Sequence, residues 1–236
     1  MGRVRCPLHP QKSWNLRRIP FVYINSVAKL SGHSPSAFFQ TILIKDRRQP
    51  MAEHVCPWWI GYLLASPARR WMGDSPESLL EPYVRPGMIA LEPGPGMGFF
   101  TLPLARMVGP SGRVVAVDIQ PRMLASLSRR ARKAGLSDRI ETRLAKPDQM
   151  NLEALDRSVD FVLAYAVVHE MPSAAMFFRQ AAAALKPAGI LLFAEPAGHV
   201  KPQDFQMELD AARSAGFTVI SRPSVRRCHA AVLRIV

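Results

Sequence analysis

A doubly wound α/β fold, with a mostly parallel seven-stranded sheet and helices on both faces, is predicted by three features of this 236-residue sequence. From Pro86-Gly87 onward, apolar runs of strand length alternate with helical stretches, the pattern of a parallel sheet covered on both sides. Directly behind the first run comes LEPGPGMGFF, residues 91–100, which packs three glycines and two prolines into one short turn. The second run, RVVAVD, ends on an acid, Asp118.

The elements follow in order. Residues 1–50 show no sustained periodicity and carry nine Lys/Arg against the single acid Asp46, so +8 of the net +13 sits there. This basic leader reads as a disordered or loosely docked extension, as an Arg-rich targeting segment, or as sequence upstream of the native start. Met51 opens an organised stretch that favours the third reading. Residues 51–85 form an N-terminal helical segment expected to act as a lid. In it PWWIGYLLASPARRW predicts a helix from about Trp58 to Ser66, and DSPESLLEPY begins another, with Ser75 as N-cap and Pro76 at the first helical position.

Residues 86–236 carry the alternating pattern. Strands are predicted near Met88–Glu92, Arg113–Asp118, Ile140–Leu144, Val159–Ala164, Gly189–Glu195, Thr218–Arg222 and Ala230–Val236. Helices are predicted near Phe99–Val108, Pro121–Ala134, Ser173–Leu185 and Pro202–Ala215. The second of these places Leu124, Leu127, Ala131 and Ala134 on one stripe, so its Arg129, Arg130, Arg132 and Lys133 read as a solvated face.

Composition narrows the class. With 48% hydrophobic and 21% charged residues the chain is ordinary globular material, long enough to bury a core. No apolar stretch reaches membrane-spanning length, so no transmembrane helix is expected. The basic N-terminus lacks the apolar core and cleavage site of a signal peptide. Cys6, Cys56 and Cys228 are too scattered for a metal or disulfide pattern and suit a reducing cytoplasm. Beyond the leader the charge is only +5, which speaks against nucleic acid as a partner.

The glycine turn carries the functional signal. Glycine serves where the backbone must take positive φ or let something approach, and proline restrains the rest. A turn of this kind between a first strand and first helix brings a nucleotide-like ligand onto the carboxyl edge of a sheet. The spacing is Gly94-x-Gly96-x-Gly98, not the G-x-G-x-x-G of pyrophosphate-binding folds. Asp118, 24 residues beyond Gly94, is placed to accept both hydroxyls of a ribose with its two oxygens. The alternative role for it is to cap the helix that starts at Pro121.

With LEPGPGMGFF, GRVVAVDIQPRML, VDFVLAYAVVHEMP and ALKPAGILLFAEP, the chain from about residue 52 to 236 resembles the class I S-adenosylmethionine-dependent methyltransferases, whose fold is Rossmann-like. The resemblance implies S-adenosyl-L-methionine as cofactor. It places Glu92, Gly94, Gly96 and Gly98 against the methionine and ribose, Asp118 on the ribose, Ile119 and Met123 beside the adenine, and Ala164 at the cofactor's border. Two departures stand out: Glu92 replaces the usual Asp. The turn RLAKPDQM puts Lys146 where the family often has the adenine-binding Asp, so that either Asp148, two positions on, substitutes or a backbone amide serves.

Methyl transfer from a sulfonium needs alignment and water exclusion, plus a base only when the acceptor holds a proton. No metal site is expected, and no G-x-S-x-G, C-x-x-C or H-E-x-x-H appears. His169 and Glu170, after the fourth strand, are the catalytic candidates, His169 as base with Glu170 to orient it or meet substrate. Otherwise His169 merely packs its loop and Glu170 is solvated. Tyr165, Glu195, Trp58 and Trp59 are the candidates for the substrate side. Nucleic-acid and protein amine methylases of this class typically show N/D-P-P-Y/F after the fourth strand, where this chain has Ala164-Tyr165-Ala166-Val167. The expected acceptor is therefore a small molecule. An RNA-associated or non-catalytic binding protein using the leader is the competing reading, and a nicotinamide oxidoreductase is disfavoured by the glycine spacing.

Overall fold

The structure, a computed structural model, describes residues 75–236. The leader, the helix predicted over Trp58–Ser66 and the two substrate-side candidates Trp58 and Trp59 lie outside the described residues.

Helix α1 (Pro76–Leu80) starts where the sequence places it: the Ser75 hydroxyl accepts the Ser78 N–H at 3.1 Å and Pro76 fills the first turn. Strand β1 (Ile89–Pro93), helix α2 (Thr101–Met107), β2 (Arg113–Asp118), α3 (Pro121–Lys133) and β3 (Ile140–Leu144) follow in alternation. The second half contains β4 (Val159–Tyr165), α4 (Ala174–Ala184), β5 (Leu185–Pro196), α5 (Pro202–Ser214), β6 (Phe217–Ser221) and β7 (Cys228–Ile235). All seven predicted strands are present. Strand β5 starts earlier than its predicted Gly189, because Leu185 already pairs with Val159 and the register then shifts before Phe161 meets Ile190. Gly189 sits at that irregularity, where a Cβ would lie 3.0 Å from the Val159 carbonyl oxygen.

The strand order is β3-β2-β1-β4-β5-β7-β6, with β7 antiparallel to both its neighbours and the other pairs parallel. The order reverses between β1 and β4. At such a switch point the loops leave in opposite directions and open a crevice at the carboxyl edge.

Strand alternation distributes the core over two faces. Val115, Val117, Val162, Ala164, Leu191 and Phe193 pack on one side with Phe177 and Phe178 of α4 and Phe205 and Leu209 of α5. Their sequence neighbours Val114, Ala116, Phe161, Leu163, Leu192 and Ala194 pack on the other with Leu80, Leu104 and Leu127 of α1 to α3. A sheet buried on both faces demands continuous apolar strands, which explains why these strands read as unbroken runs.

At the opposite edge Asp160 fastens three strands. Its Oδ2 accepts the Ile89 N–H at 2.9 Å and its Oδ1 accepts Lys186 Nζ at 2.6 Å, joining β1, β4 and β5. Asp160→Ala should destabilise the fold by about 1–3 kcal/mol in denaturant titration, because the Ile89 amide loses its acceptor. Asp160→Asn, which keeps an acceptor oxygen, should cost less.

Candidate active site

The glycine turn divides its work among its three glycines. Gly94 (φ +65°) and Gly98 (φ +88°) both lie in the left-handed region. A Cβ on Gly94 would lie 2.5 Å from Val167 Cγ2, and one on Gly98 would lie 2.5 Å from Leu127 Cδ1. These two are glycines because other parts of the chain press on them. Gly96 (φ +54°) differs: among the described residues nothing comes within 4 Å of the position its Cβ would take. Gly96 faces the cavity, and Gly98 does not line it. Gly98, expected with the others to open the backbone to a ligand, gives way to Leu127 of α3. Arg130 of α3 also departs from the solvated-face expectation: it is partly buried and donates from Nη1 to the Met97 carbonyl at 2.5 Å, bracing the turn.

Asp118 stands at the tip of β2, 8% exposed. Its Oδ1 accepts the Gln120 N–H at 2.8 Å, and the amides of Gly96 and Ile119 also donate to the carboxylate. Burial pushes its pKa up to about 6, with the charge of Glu170 adding to the rise while the three amides oppose it. The same carboxylate therefore supports the start of α3 and lines the cavity. Beyond it Ile119, 37% exposed, and buried Met123 supply apolar wall. The Ala145 N–H donates to the Asp118 carbonyl at 3.0 Å and leads into a tight turn closed by Lys146 and Gln149. Asp148 lies exposed on that turn, at the cavity's edge. Gln180 of α4 holds the turn by donating to the Asp148 carbonyl and accepting the Met150 N–H.

The opposite wall comes from β4, β5 and β7. Ala164 is fully buried within the sheet, and the cavity wall begins after it with Tyr165 and Ala166. Ala166 takes φ +56°, rare for a residue with a side chain, while its N–H still donates to the Ala194 carbonyl at 2.8 Å. This reversal turns the chain into a short 3₁₀ helix, Val168–Glu170, laid across the strand ends. Glu195, at 0% exposure, lies beneath it and not on the cavity wall. Its Oε1 accepts the Val168 N–H at 2.8 Å, and its Oε2 lies 2.5 Å from His169 Nδ1.

Glu195, expected on the substrate side, is fully enclosed, and it bonds the His169 ring, a part the sequence reading offered to Glu170. Burial disfavours the charged form of His169, but the Glu195 hydrogen bond and the charges of Glu195, Glu170 and Glu208 outweigh it and raise the pKa above its ordinary value. Glu170 lines the cavity and lies close enough to Asp118 and His169 to bias both.

The sequence reading missed His199, Arg226, Arg227 and Cys228, all on the same wall. His199 follows the end of β5, and the other three reach the wall because β7 returns antiparallel and sets Cys228 opposite Pro196. Cys228 Sγ lies 3.3 Å from the Tyr165 hydroxyl, and the Phe100 ring packs 4.6 Å from the Tyr165 ring. The cavity between the two walls holds about 700 Å³, inside the range of roughly 300–1,000 Å³ common for small-molecule sites.

A family model described as a methyltransferase domain matches residues 91–193. A solved S-adenosylmethionine-dependent methyltransferase from Aquifex aeolicus is 25% identical and superposes with a TM-score of 0.69, over 77% of this chain and 100% of its own. Residues 91–193 thus match a methyltransferase domain, on the fold of a solved S-adenosylmethionine-dependent methyltransferase. The ribosomal protein L11 methyltransferase of Pelotomaculum thermopropionicum is 31% identical over 66% of this chain and 47% of its own length. The demethylmenaquinone methyltransferase of Lactobacillus johnsonii is 33% identical over 45% of this chain and 43% of its own length. The chain thus spans about half the length of these curated relatives.

S-adenosylmethionine is the cofactor of this domain class, and the residues present fit it. A methyltransferase domain needs a bare backbone position against the nucleoside, an acceptor for ribose hydroxyls and an apolar slot. Gly96, Asp118 and the Ile119–Met123 wall meet those needs in turn.

The unequal roles of the glycines can be separated experimentally. Gly98→Ala should lower stability by ~2–4 kcal/mol, since it adds both strain and overlap with Leu127. Gly96→Ala should cost only ~1 kcal/mol of stability, while Gly96→Leu should abolish cofactor binding in calorimetric titration of a protein that still folds.

Proposed function

We propose that this protein transfers a methyl group from S-adenosylmethionine to a small-molecule acceptor by in-line displacement. The observation that carries the reading is the pairing of Gly96 and Asp118: a backbone position facing open space, held from behind by a carboxylate on the cavity wall. When bound, the cofactor supplies a methyl group made electrophilic by its sulfonium. The protein's own part is to hold, orient and enclose. Asp118 would accept the ribose hydroxyls, Ile119 and Met123 would flank the adenine, and Asp148 at the cavity edge would meet its amino group. Glu92 and the turn up to Gly96 would lie against the methionine part.

Two features support a small acceptor. The cavity of about 700 Å³ suits a compact ligand pair. The segment after β4, Tyr165-Ala166-Val167, also lacks the N/D-P-P-Y/F pattern of amine methylases that act on nucleic acids and proteins. Similar proteins are named for demethylmenaquinone and for a ribosomal protein, so the two acceptor classes must be compared directly. Incubation with isotope-labelled methyl donor and either a metabolite pool or a ribosomal-protein fraction should label a small compound; label in protein alone would reverse the assignment.

Asp118→Ala should weaken cofactor binding at least tenfold, about 1.4 kcal/mol, by removing a charged acceptor from two hydroxyls. The pH dependence has a definite sign. The ionised carboxylate is the form that accepts both hydroxyls, and its pKa is about 6. Affinity should therefore hold above that value and fall as the pH drops below it, which titration between about pH 5 and 7.5 would detect. The decline should be absent in Asp118→Asn.

A further inference from the structure

We propose that His169 is the general base for an acceptor whose attacking atom carries a proton, a hydroxyl or an amine, and that buried Glu195 is its positioning residue. This deepens the methyltransferase reading and rests on it.

His169 lines the cavity on the β4–β5 wall, across from the nucleoside end marked by Asp118 and Ile119. Its Nδ1 is taken by Glu195 Oε2 at 2.5 Å. A carboxylate can only accept, so Nδ1 carries the proton and the lone pair of neutral His169 resides on Nε2. Glu195 has no freedom to do otherwise, because its Oε1 is fixed by the Val168 amide at 2.8 Å and the side chain is entirely enclosed. A histidine whose tautomer and ring plane are set by a buried acid, with its second nitrogen left for the cavity, is the arrangement that recurs where a side chain must take a proton from a nucleophile.

A packing role alone does not account for this construction. Burying a carboxylate is costly unless it is fully partnered, and here the partners are the backbone and ring of the 3₁₀ turn that Ala166 strains to present. The surroundings also favour the imidazolium that proton uptake would create. Glu170 on the same turn and Glu208 on α5 add negative potential to that of Glu195. The His199 ring packs edge-on with centroids 5.8 Å apart, and Arg226 and Arg227 stand on the same wall as the opposing charges.

The chemistry balances without a further reactant. The acceptor's O–H or N–H bond breaks and its proton passes to His169 Nε2. The electron pair left on the acceptor atom forms the bond to the methyl carbon, the carbon–sulfur bond breaks, and its electrons stay on sulfur, which departs as a thioether. Arsenite, sulfide-type and other acceptors that attack through an unprotonated lone pair would have no use for this base.

The test uses the full chain. In histidine-labelled protein, the His169 ring resonance, assigned by its loss in His169→Gln, should titrate at lower pH in Glu195→Gln. An unchanged midpoint would overturn the positioning role. With labelled methyl donor and the metabolite pool, His169→Gln should lower transfer at least 100-fold while calorimetric affinity for S-adenosylmethionine stays within about twofold. The remaining activity should lose the rise with pH that the wild type shows through the His169 midpoint. Transfer that persists with an unchanged pH profile, or label found on an acceptor atom that bore no proton, would overturn the base. Loss of cofactor affinity in the wild-type protein would instead fail the underlying methyltransferase reading, which separates the two results.

Discussion

The carboxylate of Asp118 receives the amide of Gly96, and the rest of the site depends on that link. It joins the tip of β2 to the turn behind β1, two segments adjacent only because their strands pair in parallel from Ile89–Arg113 to Pro93–Val117. A carboxylate this enclosed needs donors, and backbone amides are donors that cannot rotate away. The arrangement fixes the turn before any ligand arrives, so little ordering remains to oppose binding. Arg130 completes it from outside by holding the Met97 carbonyl.

The sheet supplies the second constraint. Because the strand order reverses between β1 and β4, the connections after these strands diverge and the cavity opens where they part. Residues 92–150 supply part of the cavity lining, joined by Met176, Phe177 and Gln180 of α4, and the segments after β4 and β5 and the β6–β7 turn supply more. The left-handed Ala166 is the hinge of the second wall: it keeps its ladder bond to Ala194 while redirecting the chain over Glu195.

Most of the fold was legible because its signals are local. Apolar runs of strand length, the Ser75–Pro76 helix start and the Gly-Pro turn each declare themselves within a few residues. One stretch of the cavity lining was legible for the same reason, since Gly96, Asp118, Ile119 and Met123 lie close together in sequence. What escaped depends on partners distant in sequence. Nothing near Gly98 reveals that Leu127 presses on it, nor does its own segment show that Arg130 reaches Met97. Glu195 looked like an edge acid because it ends a strand; only the 3₁₀ turn folding over it turns it into a support for His169. Arg226–Cys228 required the antiparallel return of β7, which no local pattern announces.

The division of the cavity between two stretches of chain has a consequence for how such a protein diversifies. Mutations in the hairpin that carries Arg226, Arg227 and Cys228 reshape one wall while leaving the Gly96–Asp118 clasp untouched. Selection can therefore vary that wall through the late part of the chain while the clasp keeps its footing in the pairing of β1 with β2.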